Sequence, residues 1–421
     1  MPGALRVFAD VRPLRVPQFR RLWLGYIVAQ TGSQLTVVAV AYQVFLLTHS
    51  SLDVGLVSLA QVVPAIVGPI VAGSLADALD RTRLLLGIQI ILAFCSVGLA
   101  VNSLGHPALW PLYVLPAAIT GLGAADNPTR TAVMMNLVGR EHFVSANVLR
   151  QSVQQVALVV GPAVGGVLLA VAGPRLVYWI DVASFSTSIA ALISLPPLRP
   201  EGGGTKPGLR SIAEGFRFLR GRQAIQGCFI ADLNATVLGM PTALFPALGL
   251  VAFHGGARAV GVLYAAPGIG ALLGTVLSGW TGSIRRPGWA VVIAIVVWGV
   301  AITLFGLAPW LPLAVVLLAV AGGADVISAI FRNSIIQLEA PDRLRGRLSS
   351  IQSAVVQTGP RLGNTEAGAV AALGTAQIAV VSGGLGCLAG IAIIGYSMPR
   401  FLRYRIGPSG TAEPAEPAAV A

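Results

Sequence analysis

Five carboxylates interrupt apolar stretches of this 421-residue sequence: Asp126, Asp181, Asp232, Asp325 and Glu366. Arg361 does the same. An ionised side chain at the centre of a bilayer costs roughly 2.5–3.5 kcal/mol on insertion scales, so each must pair, face water or, for the acids, take up a proton. Binding and releasing a proton there is the chemistry of ion coupling. Asp126 has Arg130 one turn on, so a structural ion pair competes with a functional role. Asp232 has no basic residue one turn away on its own helix and is the leading proton-site candidate, with Glu366 a second. Arginine does not escape the cost by deprotonating, so Arg361 needs either a fixed acid, such as Asp232 or Asp325, or an anionic substrate. Counted from Leu348 it lies about 20 Å into its span. Glu366, five positions on, is about 140° around the helix and a poor partner for it. Gln30, Gln34 and Gln43 in the first span, with Gln151, Gln154 and Gln155 in the fifth, could hydrogen-bond a substrate or cap helix contacts.

Holding such groups requires helices that cross a membrane. Hydrophobic residues make up 55% of the chain and charged residues 10%, with a mean hydropathy of +0.80; soluble domains carry roughly 25% charged residues. Apolar runs divided by short polar turns predict twelve spans, several longer than the roughly 20 residues that cross the hydrocarbon. Alternate connections, beginning with the N-terminal segment, receive 25 of the 28 basic residues, which places both termini in the cytoplasm. The same asymmetry accounts for the net charge of +12 without a nucleic-acid partner. The first span follows Arg6, Arg12, Arg15, Arg20 and Arg21 with no small-residue cleavage pattern, and is expected to remain uncleaved.

No cofactor is expected. Cys95, Cys228 and Cys387 lie in apolar runs without a CxxC pair, and the four histidines are far apart. Lys206 in GGGTKPG lacks the spacing of a phosphate-binding loop. With neither a metal cluster nor a nucleophile triad, the chain does not read as an enzyme. Gly268, Gly270 and Gly274, like Gly384, Gly386 and Gly390, imitate a dinucleotide fingerprint, but in apolar helices this spacing marks packing.

The chain is organised around GSLADALDRTR, Gly73 to Arg83, a charged turn that forces two spans to be antiparallel neighbours. The longest polar segment, 197–224, reads as a cytoplasmic linker followed by an amphipathic helix carrying Ile212, Phe216 and Leu219. It separates a six-helix bundle at 1–196 from another at 225–400, and the tail at 401–421 is too small and polar to pack. The halves echo one another: Trp110 and Trp310, Asp126 and Asp325, and Arg130 and Arg332 recur at similar spacings, followed by GPAVGG at 161–166 and GPRLGN at 359–364. Repeats of this kind place substrate sites at their interface near the midplane.

On these residues, together with THSSLDVGL at 48–56, LVGRE at 137–141, GFRFL at 215–219, LYAAPGIGALLG at 263–274 and PDRLRGR at 341–347, the sequence resembles the major facilitator superfamily. The resemblance covers roughly residues 16 to 400 and is to the bacterial enterobactin (siderophore) exporter group and related drug efflux carriers. It implies an all-α membrane protein with twelve transmembrane helices in two pseudo-symmetric six-helix bundles. It also implies that spans one, four, seven and ten line the cavity, which favours Asp126, Asp232 and Asp325 and leaves Asp181 to helix packing. Gly73, Asp77 and Arg81 match the superfamily's loop motif, whose acid and base hold the cytoplasmic face closed. Asp80 stands where the motif has a second glycine, Ala78 replaces a basic residue, and the counterpart at 279–288 has Ser283 in place of the acid, so gating should be asymmetric. Gly161, Pro162, Gly165 and Gly166 resemble a motif that accompanies antiport, though close helix packing alone asks for similar residues.

The expected function is alternating-access export of a small organic molecule, siderophore-like or another amphipathic anion, in exchange for protons. The expected setting is a monomer in the bacterial cytoplasmic membrane, driven by the proton gradient. A broad multidrug or macrolide efflux pump is the alternative, and a non-transporting membrane receptor a more distant one.

Overall fold

Apolar runs bounded by prolines, glycines and charged turns form the helices α1 (Pro17–Thr48), α2 (Ser51–Ala60), α3 (Val62–Ala78), α4 (Arg81–Asn102) and α5 (Trp110–Ile193). After the linker come α6 (Gln223–Leu238), α7 (Gly256–Val276), α8 (Pro287–Gly306), α9 (Leu311–Glu339), α10 (Arg345–Leu373) and α11 (Ala376–Ser397). The computed structural model describes residues 10–196, 217–219, 221–341, 344–406 and 412–413, without the side-chain surroundings of 72–74, 76–78, 345–347, 406 and 412–413. The linker, most of its amphipathic helix with Ile212 and Phe216, and most of the tail lie outside them. Within the tail, Arg405–Ile406 pairs antiparallel with Ala412–Glu413.

Among the described residues, nine helical stretches are long and apolar enough to cross a membrane. One of them, α5, has 84 residues, about 126 Å of helix against roughly 30 Å of hydrocarbon. Gly139 (φ 70°, ψ 175°) and Gly173 (φ 71°, ψ −176°) break it. That backbone region is essentially open to glycine alone, so these two residues turn the chain where any side chain would be strained. Pro174 then opens the next segment, where its missing N–H leaves no helical bond unmade. Three spans result, at 110–138, 140–172 and 174–193. Helix α10, which carries Arg361 and Glu366, is not among those nine stretches; counting it as a span is consistent with the twelve expected.

The chain divides into two compact units, Met1–Leu47 with Ala60–Pro207 and Thr48–Leu59 with Gly208–Ala421. In the first, small clusters form the core, one around Phe19, Met134 and Leu149 and another around Leu22, Val133 and Leu192. The second has an extended core through α6, α8, α9 and α11, including Ile225, Trp298, Phe305 and Phe331. Residues 48–59 were expected within the 1–196 bundle, yet they pack with the second unit. Small residues permit this: a Cβ on Gly55 would stand 2.6 Å from the Asn364 carbonyl oxygen, and one on Gly368 2.6 Å from that of Ser51. The glycines of α7 are likewise packing residues, a Cβ at Gly274 falling 3.0 Å from Gly323 of α9.

Candidate functional site

In the second unit, α9 presents Asp325, Ser328 and Arg332 along one face, as spacings of three and seven residues require. The Arg332 guanidinium reaches α6, where its Nη2 meets Asp232 Oδ1 at 2.8 Å, and it lies 3.8 Å from Asp325. Its Nη1 donates to Ser328 Oγ at 2.9 Å. The side chains of Asp232 and Arg332 are 8% and 7% exposed, that of Asp325 47%. Two carboxylates therefore share one guanidinium. When both are ionised the cluster carries one excess negative charge, and a single bound proton makes it neutral.

Of the two alternatives for Arg361, a fixed acid such as Asp232 or Asp325 or an anionic substrate, the pairing with Asp232 or Asp325 is not what the structure has. Arg332 takes that place because two turns of α9 align it with Asp325 on the face that packs against α6. Arg361 sits half-buried on α10 and donates from Nη1 to the Gln357 carbonyl of its own helix. No carboxylate lies within ion-pair distance of it among the described residues.

In the first unit, Arg130 holds Asp126 with a two-pronged grip, Nε to Oδ2 at 2.8 Å and Nη2 to Oδ1 at 3.0 Å. Gln89 of α4 adds a bond to Asp126 Oδ1 at 2.7 Å, and the guanidinium rests 4.8 Å from the centre of the Tyr26 ring. This pair is neutral and closed within one helix. Asp181 accepts from Thr36 and Ser96, both at 2.8 Å, and from Ser184 at 3.3 Å, joining α1 and α4 to the last segment of α5. Arg150 is buried as well. Its Nη1 donates to Asn127 Oδ1 at 2.7 Å and to Gln154 Oε1 at 3.5 Å, and its Nη2 to Asn147 Oδ1 at 3.1 Å.

Residues 8–409 match the family described as transmembrane secretion effector. The chain belongs to the major facilitator superfamily. It is 30% identical over 371 residues to the enterobactin exporter EntS of Citrobacter koseri, covering 88% of this chain and 89% of that protein. It is 30% identical over 373 residues to EntS of Shigella boydii serotype 18, with the same coverage. Solved structures with the same fold include the nucleoside transporter NupG, with a TM-score of 0.71 at 15% identity over 92% of this chain and all (100%) of that one. A D-xylose–proton symporter has a TM-score of 0.68 at 13% identity over 90% and 97%. The chain is a multi-pass membrane transporter for a small molecule, not an enzyme.

The other expected positions of this major facilitator are distributed as follows. Gly73 and Asp77 lie on the last turns of α3, which runs through Ala78, but their surroundings are outside what the structure describes; Arg81 opens α4. Asp80, in place of the motif's second glycine, caps α4 by accepting from the Arg83 N–H at 2.9 Å. Gln30, Gln34, Gln155 and Glu366 are half-buried and Gln151 is exposed. Gly161, Pro162, Gly165 and Gly166 are buried, with Gly161 directly against Gln34 and a Cβ at Gly165 falling 3.4 Å from Leu35. The motif thus packs the middle segment of α5 onto α1.

Sequence reasoning missed three residues. Arg332 and Arg150 counted as basic flanks, although each sits in a polar stripe on an apolar helix, 325/328/332 and 147/150/154, that marks an inward face. Asn364, in the second unit, accepts from Thr242 Oγ1 at 2.6 Å and the Ala243 N–H at 2.9 Å, and donates to Ser58 Oγ at 3.2 Å. A lone asparagine in a helix carries no sequence signal for such a role.

Proposed function

We propose that this transporter exports a small organic anion, siderophore-like or otherwise amphipathic, from the bacterial cytoplasm in exchange for protons. The reading rests on the cluster of Asp232, Arg332 and Asp325. A proton bound there cancels the excess charge, and a neutral cluster costs less than a charged one in a closed, low-dielectric state. Proton entry is thereby coupled to the conformations through which cargo leaves. Glu366 is a second proton site, whereas Asp126, already matched by Arg130, is structural. In the second unit Arg361 offers a fixed positive charge to an anionic cargo. In the first, Gln30, Gln34, Gln151 and Gln155 are candidate hydrogen-bonding groups for a cargo. Asp77 and Arg81 form a cytoplasmic gate. The protein acts as a monomer with both termini in the cytoplasm and needs no cofactor beyond the proton gradient.

Enterobactin, the cargo in the relatives' names, is the first compound to test. Its transport in proteoliposomes should accelerate when a pH gradient is imposed, and Asp325→Asn should weaken that response. Transport indifferent to the gradient would refute antiport. A deletion strain that secretes siderophore normally but becomes drug-sensitive would refute the cargo class.

A further inference from the structure

We infer that Arg150 anchors an anion-binding subsite in the first unit, which takes a carboxylate or comparable two-oxygen anion of the cargo. This deepens the export reading by adding a second place that recognises the cargo's charge. Arg150 lies in the middle segment of α5, about 16 Å beyond the break at Gly139, and is only 8% exposed. Its partners Asn127, Asn147 and Gln154 are all neutral amides. Its Nε is buried with no hydrogen-bond partner.

The neighbouring Arg130 shows what this arrangement is suited to. There the same edge of the guanidinium, Nε and Nη2, holds both oxygens of the Asp126 carboxylate at 2.8 and 3.0 Å. In Arg150 that edge has one bond, from Nη2 to Asn147 at 3.1 Å. Among the described residues no carboxylate balances the charge, and arginine keeps its proton in any environment. Hydrogen bonds to an ionised acceptor are roughly twice as strong as those to a neutral one, and bidentate ones add directionality. An arriving oxyanion therefore displaces amide oxygen from this edge with a net gain. Asn127, one of the three amides that hold the guanidinium, is itself exposed. Tyr26, whose ring carries Arg130, also lies beside Arg150.

The test uses the full-length protein in nanodiscs and titration calorimetry with 2-naphthoate and its neutral amide, 2-naphthamide. Wild type should bind the carboxylate at least about tenfold more tightly than the amide. R150Q should remove that preference, and R150K, which keeps the charge but not the fork, should retain part of it. The proposal is overturned if wild type shows no preference, if R150Q keeps it, or if it disappears in R361Q but not R150Q. Should R150Q fail to fold, R150K binding with the full wild-type preference would overturn it equally. Binding is read without transport, so loss of the carboxylate preference and loss of proton-coupled flux are separate failures.

Discussion

Replacing Arg332 should damage this protein more than replacing either of its acidic partners. Removing one member of a buried ion pair typically costs about 3–5 kcal/mol, because the remaining charge stays buried and unmatched. In Asp232→Asn, Arg332 still has Asp325, 3.8 Å away and partly exposed, to turn to. We therefore expect a loss at the lower end, about 1–2 kcal/mol. In Arg332→Gln both carboxylates lose their cation at once, and the full 3–5 kcal/mol or so applies. The double variant, Asp232→Asn with Arg332→Gln, removes both buried charges and should recover about 2 kcal/mol relative to Arg332→Gln alone. Unfolding by sodium dodecyl sulfate in mixed micelles, followed by tryptophan fluorescence, measures all three. The deficit of Arg332→Gln should also shrink as pH falls, since protonation removes the unmatched charge. A smaller loss for Arg332→Gln than for Asp232→Asn, or a double variant no better than Arg332→Gln, would refute this account of the cluster.

Gly161→Leu should disrupt the contact with Gln34 and cost about 1–3 kcal/mol, whereas Gly165→Ala, whose new Cβ meets Leu35 at 3.4 Å, should be tolerated; thermal unfolding in detergent separates the two. Asn364→Leu strands the Thr242 hydroxyl and the Ala243 N–H, a loss of about 1–3 kcal/mol, while Asn364→Asp keeps the acceptor and should restore part of it in the same assay. Outside the spans, hydrogen bonds from Arg12 hold the Asp10 carboxyl well below the usual carboxylate range. What this group contributes is thus present at neutral pH and lost only as pH falls through the lowered value. Carbon-13 shifts of Asp10 should titrate below those of exposed aspartates, and Arg12→Ala should bring them back to the ordinary range.

The all-helical membrane architecture was legible because hydropathy reports what a bilayer requires, and the glycines that divide α5 occur at polar turns. The Asp126–Arg130 pair was legible for a related reason: both residues lie one turn apart on one helix. Asp232 was not, since its partner arrives from α9 by tertiary packing. Arg150 was obscured because a basic residue near the end of an apolar run looks like a flank, and the stripe it shares with Asn147 and Gln154 becomes meaningful only beside Asn127. The placement of residues 48–59 with the second unit was hidden as well. An apolar run tells how a helix meets lipid, not which neighbour its glycines will touch.

The two buried ion pairs also differ in when they can first exist. Asp126 and Arg130 belong to one turn of helix, so their charges cancel as soon as that turn forms. Asp232 and Arg332 stand one hundred residues apart in the chain. At ribosomal speeds of roughly 5–20 residues per second, about 5–20 s of synthesis separate them. For that interval α6 is without the arginine that finally matches its carboxylate. The ion pair that ties α6 to α9 is therefore a contact that only a nearly complete second half can make.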